Sequence, residues 1–341
     1  MTPSVQRFSG SPAEWDAFVQ GAPERTHFQF WGWKSVFERV LGHECVYLAA
    51  RSPDGPLVGV LPLVWVYSRV FGSYLVSMPF VNYGGPLGST AAVQGLVARA
   101  SAFADSNDVE LLELRSRAPL SIDWPVSHRK ITVVLDLTPG DPGQVWRTLG
   151  AKVRSQIRRP QREGINVRFG LDQVGAFYRV FSEHMRDLGT PTQSRGLFEA
   201  LAETFPADVW FGCAYYRERP VAAGCGLRWG AEFEMTWASA LKAYNSLAPN
   251  MLLYWSFIER AAEQGLALFN FGRCTAGSGT HRFKRQWGAR DVPLWWYQHA
   301  VGRVATPSPD DGAFAWGPRV WRRLPLALAN MLGPRVVRLI P

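Results

Sequence analysis

The sequence predicts an α/β protein of two related domains, each with a mainly antiparallel central sheet. Three observations carry this. A chain of 341 residues with 47% apolar and 19% charged residues is long enough for two packed cores and too apolar for a disordered or fibrous chain. The segment VYLAARSPDGPLVGVLPLVWV from Val46 is echoed by VWFGCAYYRERPVAAGCGLRW from Val209, with Pro56 and Pro220 at corresponding places 164 residues apart. The elements that follow recur in the same order.

Each echoed segment reads as two apolar strands around a polar turn, since proline fixes φ at the turn and a short apolar run re-enters the sheet. Ser73 to Phe80 and Glu232 to Ser239 supply the next strand of each half. A helix over 91–104 then matches one over 251–263, and each precedes a strand, VELLELR and LALFNFG. The expected domains are 1–145 and 146–300, followed by a basic apolar tail at 301–341.

Near the boundary, Trp146, Leu149, Val153 and Ile157 recur at spacings of 3, 4 and 4. They predict one face of a helix that ends near Arg159, because Pro160 follows. Arg154 and Arg158 share another face, and Lys152, Arg159 and Arg162 enlarge a basic patch. Like charges at i and i+4 repel unless an anion neutralises them, so the patch reads either as a phosphate site or as a solvated basic face. SPDDGAF near residue 310 predicts a polar bend. In the tail beyond it, WGPRVWRRLPLALANMLGPRVVRLIP, Pro325 and Pro334 should interrupt helical segments whose Leu side chains need cover. That cover is either the protein itself or, by peripheral contact, an anionic membrane.

The 37 Lys and Arg outnumber the 28 Asp and Glu, giving +9, which favours an anionic partner: nucleic acid, a phosphorylated substrate or a membrane surface. Four cysteines without a CxxC pair fit a reduced compartment. The first residues carry no signal-peptide pattern, and the longest strongly apolar run, near 58–67, is far shorter than the ~20 residues of a spanning helix. The expected location is cytoplasmic, with peripheral attachment at the inner membrane as the alternative. There is no GxxxxGK[ST] loop, no HExxH and no GxSxG elbow, and the six His are scattered without ligand spacing, so no metal is expected.

The second half holds the densest chemical constellation: HMRDLGTP from His184, AYNSLAPN from Ala243, LLYW from Leu252, FNFGR from Phe269 and GSGTHRFKRQWGA from Gly277. Thr280, Phe283, Lys284 and Trp287, at spacings of 3, 1 and 3, predict a helical turn that aims Lys284 at a cleft. There its charge would stabilise a developing acyl oxyanion or hold a donor phosphate; the alternative is an exposed helix cation. His184 is a candidate proton relay or a local hydrogen-bonding group. Tyr244, Asn245, Asn250 and Tyr254 are candidates for positioning substrate, although turn formation explains the two Asn equally well. Arg273, at a strand end, fits a phosphate, a carboxylate or a structural ion pair. Cys274 has no base partner and reads as a buried thiol.

Together, YNSLAPNMLLYW, GLALFNFGR and GTHRFKRQWGA resemble the FemAB-type peptidoglycan aminoacyltransferase family, and more closely its relatives associated with exosortase and exopolysaccharide systems. The similarity takes in HMRDLGTP and AKVRSQIRRPQREG, covering much of 145–297. It implies duplicated GNAT-like acyltransferase domains and acyl transfer to an amine, with aminoacyl-tRNA as donor and a peptidoglycan precursor as acceptor in the peptidoglycan type. In the family's FKxx-aromatic pattern Phe283, Lys284 and Trp287 match, which implies that Lys284 supports the donor end or the oxyanion. Ordinary GNAT enzymes cradle coenzyme A phosphates on a glycine-rich loop; the corresponding AYNSLAPN lacks those glycines, which weighs against acyl-CoA.

The sequence thus leaves three functions open. The first is an N-acyltransferase acting on an anionic cell-envelope or polysaccharide precursor, with no tightly bound cofactor and with aminoacyl-tRNA or acyl-CoA as donor. The others are a noncatalytic adaptor for an anionic polymer such as RNA, tRNA being the possible partner, or for a membrane, and an acyl-CoA-dependent N-acetyltransferase. Oligomeric state is not legible.

Overall fold

A computed structural model describes residues 3–300 and 317–340; the bend expected near residue 310 lies outside the described residues. In chain order the strands are β1 (Ser4–Arg7), β2 (Glu44–Arg51), β3 (Leu57–Ser68), β4 (Gly72–Val76), β5 (Leu87–Gly88), β6 (Leu111–Ser116), β7 (Val126–Ser127), β8 (Lys130–Asp136), β9 (Asn166–Phe169), β10 (Val209–Tyr216), β11 (Arg219–Trp229), β12 (Glu232–Ala240), β13 (Leu268–Thr275), β14 (Arg290–Pro293) and β15 (Trp295–Ala300).

Two sheets result, one ordered β1-β2-β3-β4-β6-β15-β7 with β5 beside β3, the other β14-β8-β13-β12-β11-β10-β9. Both are mainly antiparallel with one matching parallel pair, β4 with β6 and β12 with β13. The echoed segments are β2–β3 and β10–β11, so the duplication read from the sequence is the duplication of the fold. A helix links the strands of each parallel pair. Thr90–Ser106 starts where the Ser89 side chain accepts from the Ala92 N–H, and Pro249–Glu263 starts on a proline, which needs no N–H partner there.

The chain divides into two compact units, 3–130 with 293–300 and 337–340, and 131–292 with 317–336, among the described residues. The boundary expected at 145/146 therefore falls earlier, and the strand at 295–300 returns to the first unit. Hydrophobic burial explains this: in KITVVLD the side chains of Ile131, Val133 and Leu135 complete the second unit's core, while Tyr297 of β15 completes the first unit's.

Two proline expectations are also corrected. The predicted single helix from Trp146 is two, Pro142–Thr148 and Ala151–Arg162, broken where Leu149 and Gly150 turn extended. Leu149, Val153 and Ile157 still reach one core, with Val145 buried in place of the expected Trp146, which packs partly buried against it. Pro160 lies inside the second helix, and Pro334 inside Leu326–Val337. Each sits in the last turn, where a missing N–H forfeits one backbone bond rather than breaking a long ladder.

Candidate active site

β12 and β13 pair through Glu232–Leu268, Phe233–Phe269 and Glu234–Asn270, then part. Asn270 pins the vertex. Fully buried, it donates from its side-chain nitrogen to the carboxylates of Glu232 at 2.8 Å and Glu234 at 3.4 Å, and accepts from the Thr132 hydroxyl and the Gly272 N–H. Beyond the vertex β12 continues along β11 to Ala240. The Leu241 N–H donates to Val221, so antiparallel alternation turns the backbone of Ala238 and Ala240 away from β11, toward the widening gap.

A cavity of about 700 Å³ lies against the end of β12 past this vertex, between it and the helix that follows β13, a volume that suits a small organic group. The Val174–Leu188 helix contributes His184, Asp187 and Leu188, and the end of β12 contributes Ala238, Ser239 and Ala240. Lys242 and Asn245 follow in the next turn. Asn250, Leu253 and Tyr254 come from the first turns of the 249–263 helix; Gly279, Thr280 and Phe283 come from the helix Gly279–Arg285, and Arg322 comes from the C-terminal segment.

Burial holds the His184 imidazole below its ordinary pKa, against a backbone hydrogen bond with Ala240 and the charge of Asp187. A neutral ring at neutral pH can take up a proton. Burial also raises the Tyr254 phenol, so that group stays protonated and can only donate or accept a hydrogen bond. Lys242 and Arg322 bring positive charge to the rim. Asp187 brings negative charge, already bridged to Arg186 at 2.6 Å. Ser239 is 5% exposed, and its hydroxyl has no partner among the described residues.

Six of the twelve candidate residues meet here: His184, Asn245, Asn250, Tyr254, Thr280 and Phe283. The other six do not line the cavity. Lys284 is 3% exposed and donates from Nζ to the carbonyls of Gly272 at 2.7 Å and Arg273 at 3.0 Å; desolvation pushes its pKa down to about 8. Its ammonium ties the end of β13 to the 279–285 helix. Trp287 is a core residue among Tyr254, Phe271 and Phe283. Arg273 lies on β13, beside the buried Cys274.

Arg154 and Arg158 do structural work. The Arg154 guanidinium donates to the carbonyls of Arg147 and Leu149, which the helix break leaves without helical partners. Arg158 stacks on Trp146 at 5.2 Å. Tyr244 packs against Tyr216 and under Arg219. Sequence reasoning missed Asp187, Ser239, Lys242 and Arg322. Ser239 stands next to last in the strand EFEMTWASA, and nothing in that pattern marks it as different from the alanines beside it. Asp187 stood unnoticed within HMRDLGTP.

The sequence profile of the Acetyltransferase (GNAT) domain matches residues 150–285, the span that holds most of this cavity. No protein of curated function matches the sequence. Among solved structures, FemX covers 86% of this chain and 97% of its own at a TM-score of 0.65 with 13% identity. L-PGS from Bacillus licheniformis covers 92% and 98% at 0.57 with 14% identity. The C-terminal domain of a putative lysylphosphatidylglycerol synthetase from Agrobacterium fabrum covers 84% and 90% at 0.55 with 12% identity. At such identities the likeness is one of fold: the chain has duplicated GNAT-like α/β domains of the FemAB/GNAT kind.

Proposed function

We propose that the second unit is an N-acyltransferase site. The observation that carries this reading is the parting of β12 and β13 over a cavity flanked by a half-buried, neutral imidazole. An acyl ester or thioester lies in the gap with its carbonyl oxygen toward the backbone N–H groups of Ala238 and Ala240. A neutral acceptor amine attacks the carbonyl carbon, the oxyanion forms against those aimed dipoles, and collapse expels the donor alcohol or thiol. His184 takes the proton that the amine loses and returns it to the leaving group, so no acyl-enzyme is needed.

Lys242, Arg322 and the start of the 249–263 helix supply the positive field that a phosphate-bearing donor needs. Pro249 removes one N–H from that helix start and Ala248 stands in the left-handed region at φ 53°, where a glycine-rich cradle would have small, donor-rich backbone. That favours aminoacyl-tRNA over acyl-CoA as donor. The acceptor is an amine of a cell-envelope or polysaccharide precursor, a reading supported by the sequence resemblance to FemAB-type proteins of exosortase and exopolysaccharide systems. Lys284 acts as a positioning residue: it fixes the backbone behind Thr280 and Phe283 rather than touching the acyl oxygen.

The test is to incubate the purified chain with aminoacyl-tRNA or acyl-CoA donors and nucleotide-linked or lipid-linked amino sugars, then weigh the products. Transfer from aminoacyl-tRNA is the expected result, and transfer from acyl-CoA alone overturns the donor assignment. Anion binding with no transferred mass from any donor overturns the enzyme reading in favour of an adaptor.

A further inference from the structure

The helix Leu326–Val337 wears its apolar side outward. Its inner face is small: Ala329 is buried, a Cβ on Gly333 would stand 2.9 Å from the Thr192 nitrogen, and the Asn330 amide reaches the Ser182 hydroxyl at 3.4 Å. Its outer face carries Leu328, Met331 and Leu332, with Met331 52% exposed. A surface helix ordinarily does the reverse. Val320 and Leu188 are exposed nearby, where a Cβ on Gly189 would meet Pro318 and the Arg322 guanidinium donates to the Leu188 carbonyl. Of the nine large apolar side chains exposed among the described residues, four lie on this C-terminal segment and a fifth, Leu188, lies against its start, a concentration unlike scattered singles.

The charge of the C-terminal segment has one sign, and the negative charge beside it, Asp187, is bridged to Arg186. Residues 317–340 contain Arg319, Arg322, Arg323, Arg335 and Arg338 and no Asp, Glu or Lys. The helix is also too short to cross a bilayer. We propose that this face docks on an anionic bilayer surface, with Leu328, Met331, Leu332 and Val320 entering the headgroup boundary and Arg319, Arg323 and Arg335 pairing with lipid phosphates. Leu188 and Arg322 also line the cavity, so docking brings its rim to the lipid surface. The proposal draws nothing from acyl-transfer chemistry, and either can fail alone.

Sedimentation of the full chain with vesicles tests it. The protein should pellet with phosphatidylcholine vesicles containing phosphatidylglycerol and stay in solution with phosphatidylcholine alone, and added salt should release it. The variant Leu328→Ser/Met331→Ser/Leu332→Ser should partition at least about 10-fold less. Arg319→Gln/Arg323→Gln, at two exposed positions, should lose about 10-fold or more with the apolar face intact, and this pair decides the matter if the triple variant fails to fold. Wild-type protein that ignores anionic vesicles, or binding unchanged in the folded variants, overturns the proposal. So does a dimer in sedimentation velocity that the triple variant dissociates, which would make the patch an interface between copies.

Discussion

In the first unit β4 and β6 pair over Tyr74–Leu111, Leu75–Leu112 and Val76–Glu113, and the chain after β4 goes on following β6. The Ser77 N–H donates to the Glu113 carbonyl at 2.9 Å, the Ser77 hydroxyl accepts from the Arg115 N–H at 2.7 Å, and the Gly84 N–H donates to the Arg115 carbonyl at 3.0 Å. In the second unit β12 and β13 share the same three rungs and then separate. The residue at the third rung differs: Glu113 is locked to Arg115 at 2.7 Å, both deeply buried, whereas Asn270 bridges two carboxylates on the neighbouring strand. The first unit's cavity, about 600 Å³, lies instead along the 83–90 and 116–121 turns, and its only lining residues that carry a full charge at neutral pH, among those described, are Glu24 and Arg117. A strand pair sutured along its length braces a sheet; one that opens past its vertex has room for chemistry. Duplication kept the brace in both units and the opening in one.

The sharpest test of that contrast is His184, which stands at the open pair. His184→Ala should lower kcat by about 10²- to 10⁴-fold without changing thermal stability. Because the ring's pKa lies below its usual 6.5, kcat/KM in the wild type should rise with pH through a value under 6.5 and flatten above it, and the variant should lose this limb. A pH profile identical in both proteins would remove His184 from the proton path.

The closed pair should instead respond in stability. Arg115→Met leaves the Glu113 carboxylate buried with Gln298 at 2.8 Å but without its cation, a change that costs about 3–5 kcal/mol. Urea unfolding measures the loss. Activity per folded molecule should hold, since no catalytic group is touched.

Lys284 tests whether the second unit's opening is held from behind. Burial lowers its pKa from 10.5 to about 8, so between those values the unfolded chain binds the proton more strongly. Wild-type stability relative to Lys284→Met should therefore rise with pH across that window, by about 3 kcal/mol at roughly 1.4 kcal/mol per unit. Cys and Tyr groups present in both proteins largely cancel in the difference. Near neutral pH the variant should be less stable by about 1–3 kcal/mol, because the carbonyls of Gly272 and Arg273 lose a buried donor. A flat difference would mean that the ammonium is solvated.

These residues also mark how far the sequence could be read. The duplication was legible because strand periodicity and turn prolines are local signals, repeated at Val46 and Val209. Six site residues were legible because they lie in dense polar segments between 184 and 283. Lys284 was misdirected by its spacing: Thr280 and Phe283 face the cavity, but one further residue turns about 100° around the helix, and Lys284 joins Trp287 inside. Arg154 and Arg158 show that charge pattern cannot say whether a cation's partner is a phosphate, a carbonyl or an indole. Arg322 reaches the cavity from a segment whose sequence gives no hint of where it returns.

The smallest expected effect belongs to Ser239, and it bears most directly on what the opening is for. The rungs that the two strand pairs share set Ser239 opposite Val81 of the first unit, a buried apolar residue. A buried hydroxyl without a partner costs stability in the free protein, and a substrate atom that satisfies it recovers that cost on binding. Ser239→Ala should accordingly leave urea stability unchanged or slightly raised, by up to about 1 kcal/mol, while kcat/KM falls about 10-fold, mostly through KM. Ser239→Phe, which sets a large ring in the hydroxyl's place, should fill the gap and suppress transfer further. If Ser239→Ala lost stability and kept its KM, the hydroxyl would be serving the fold, and the floor of the cavity would have to be sought among Thr280, Asn245 and Asn250 instead.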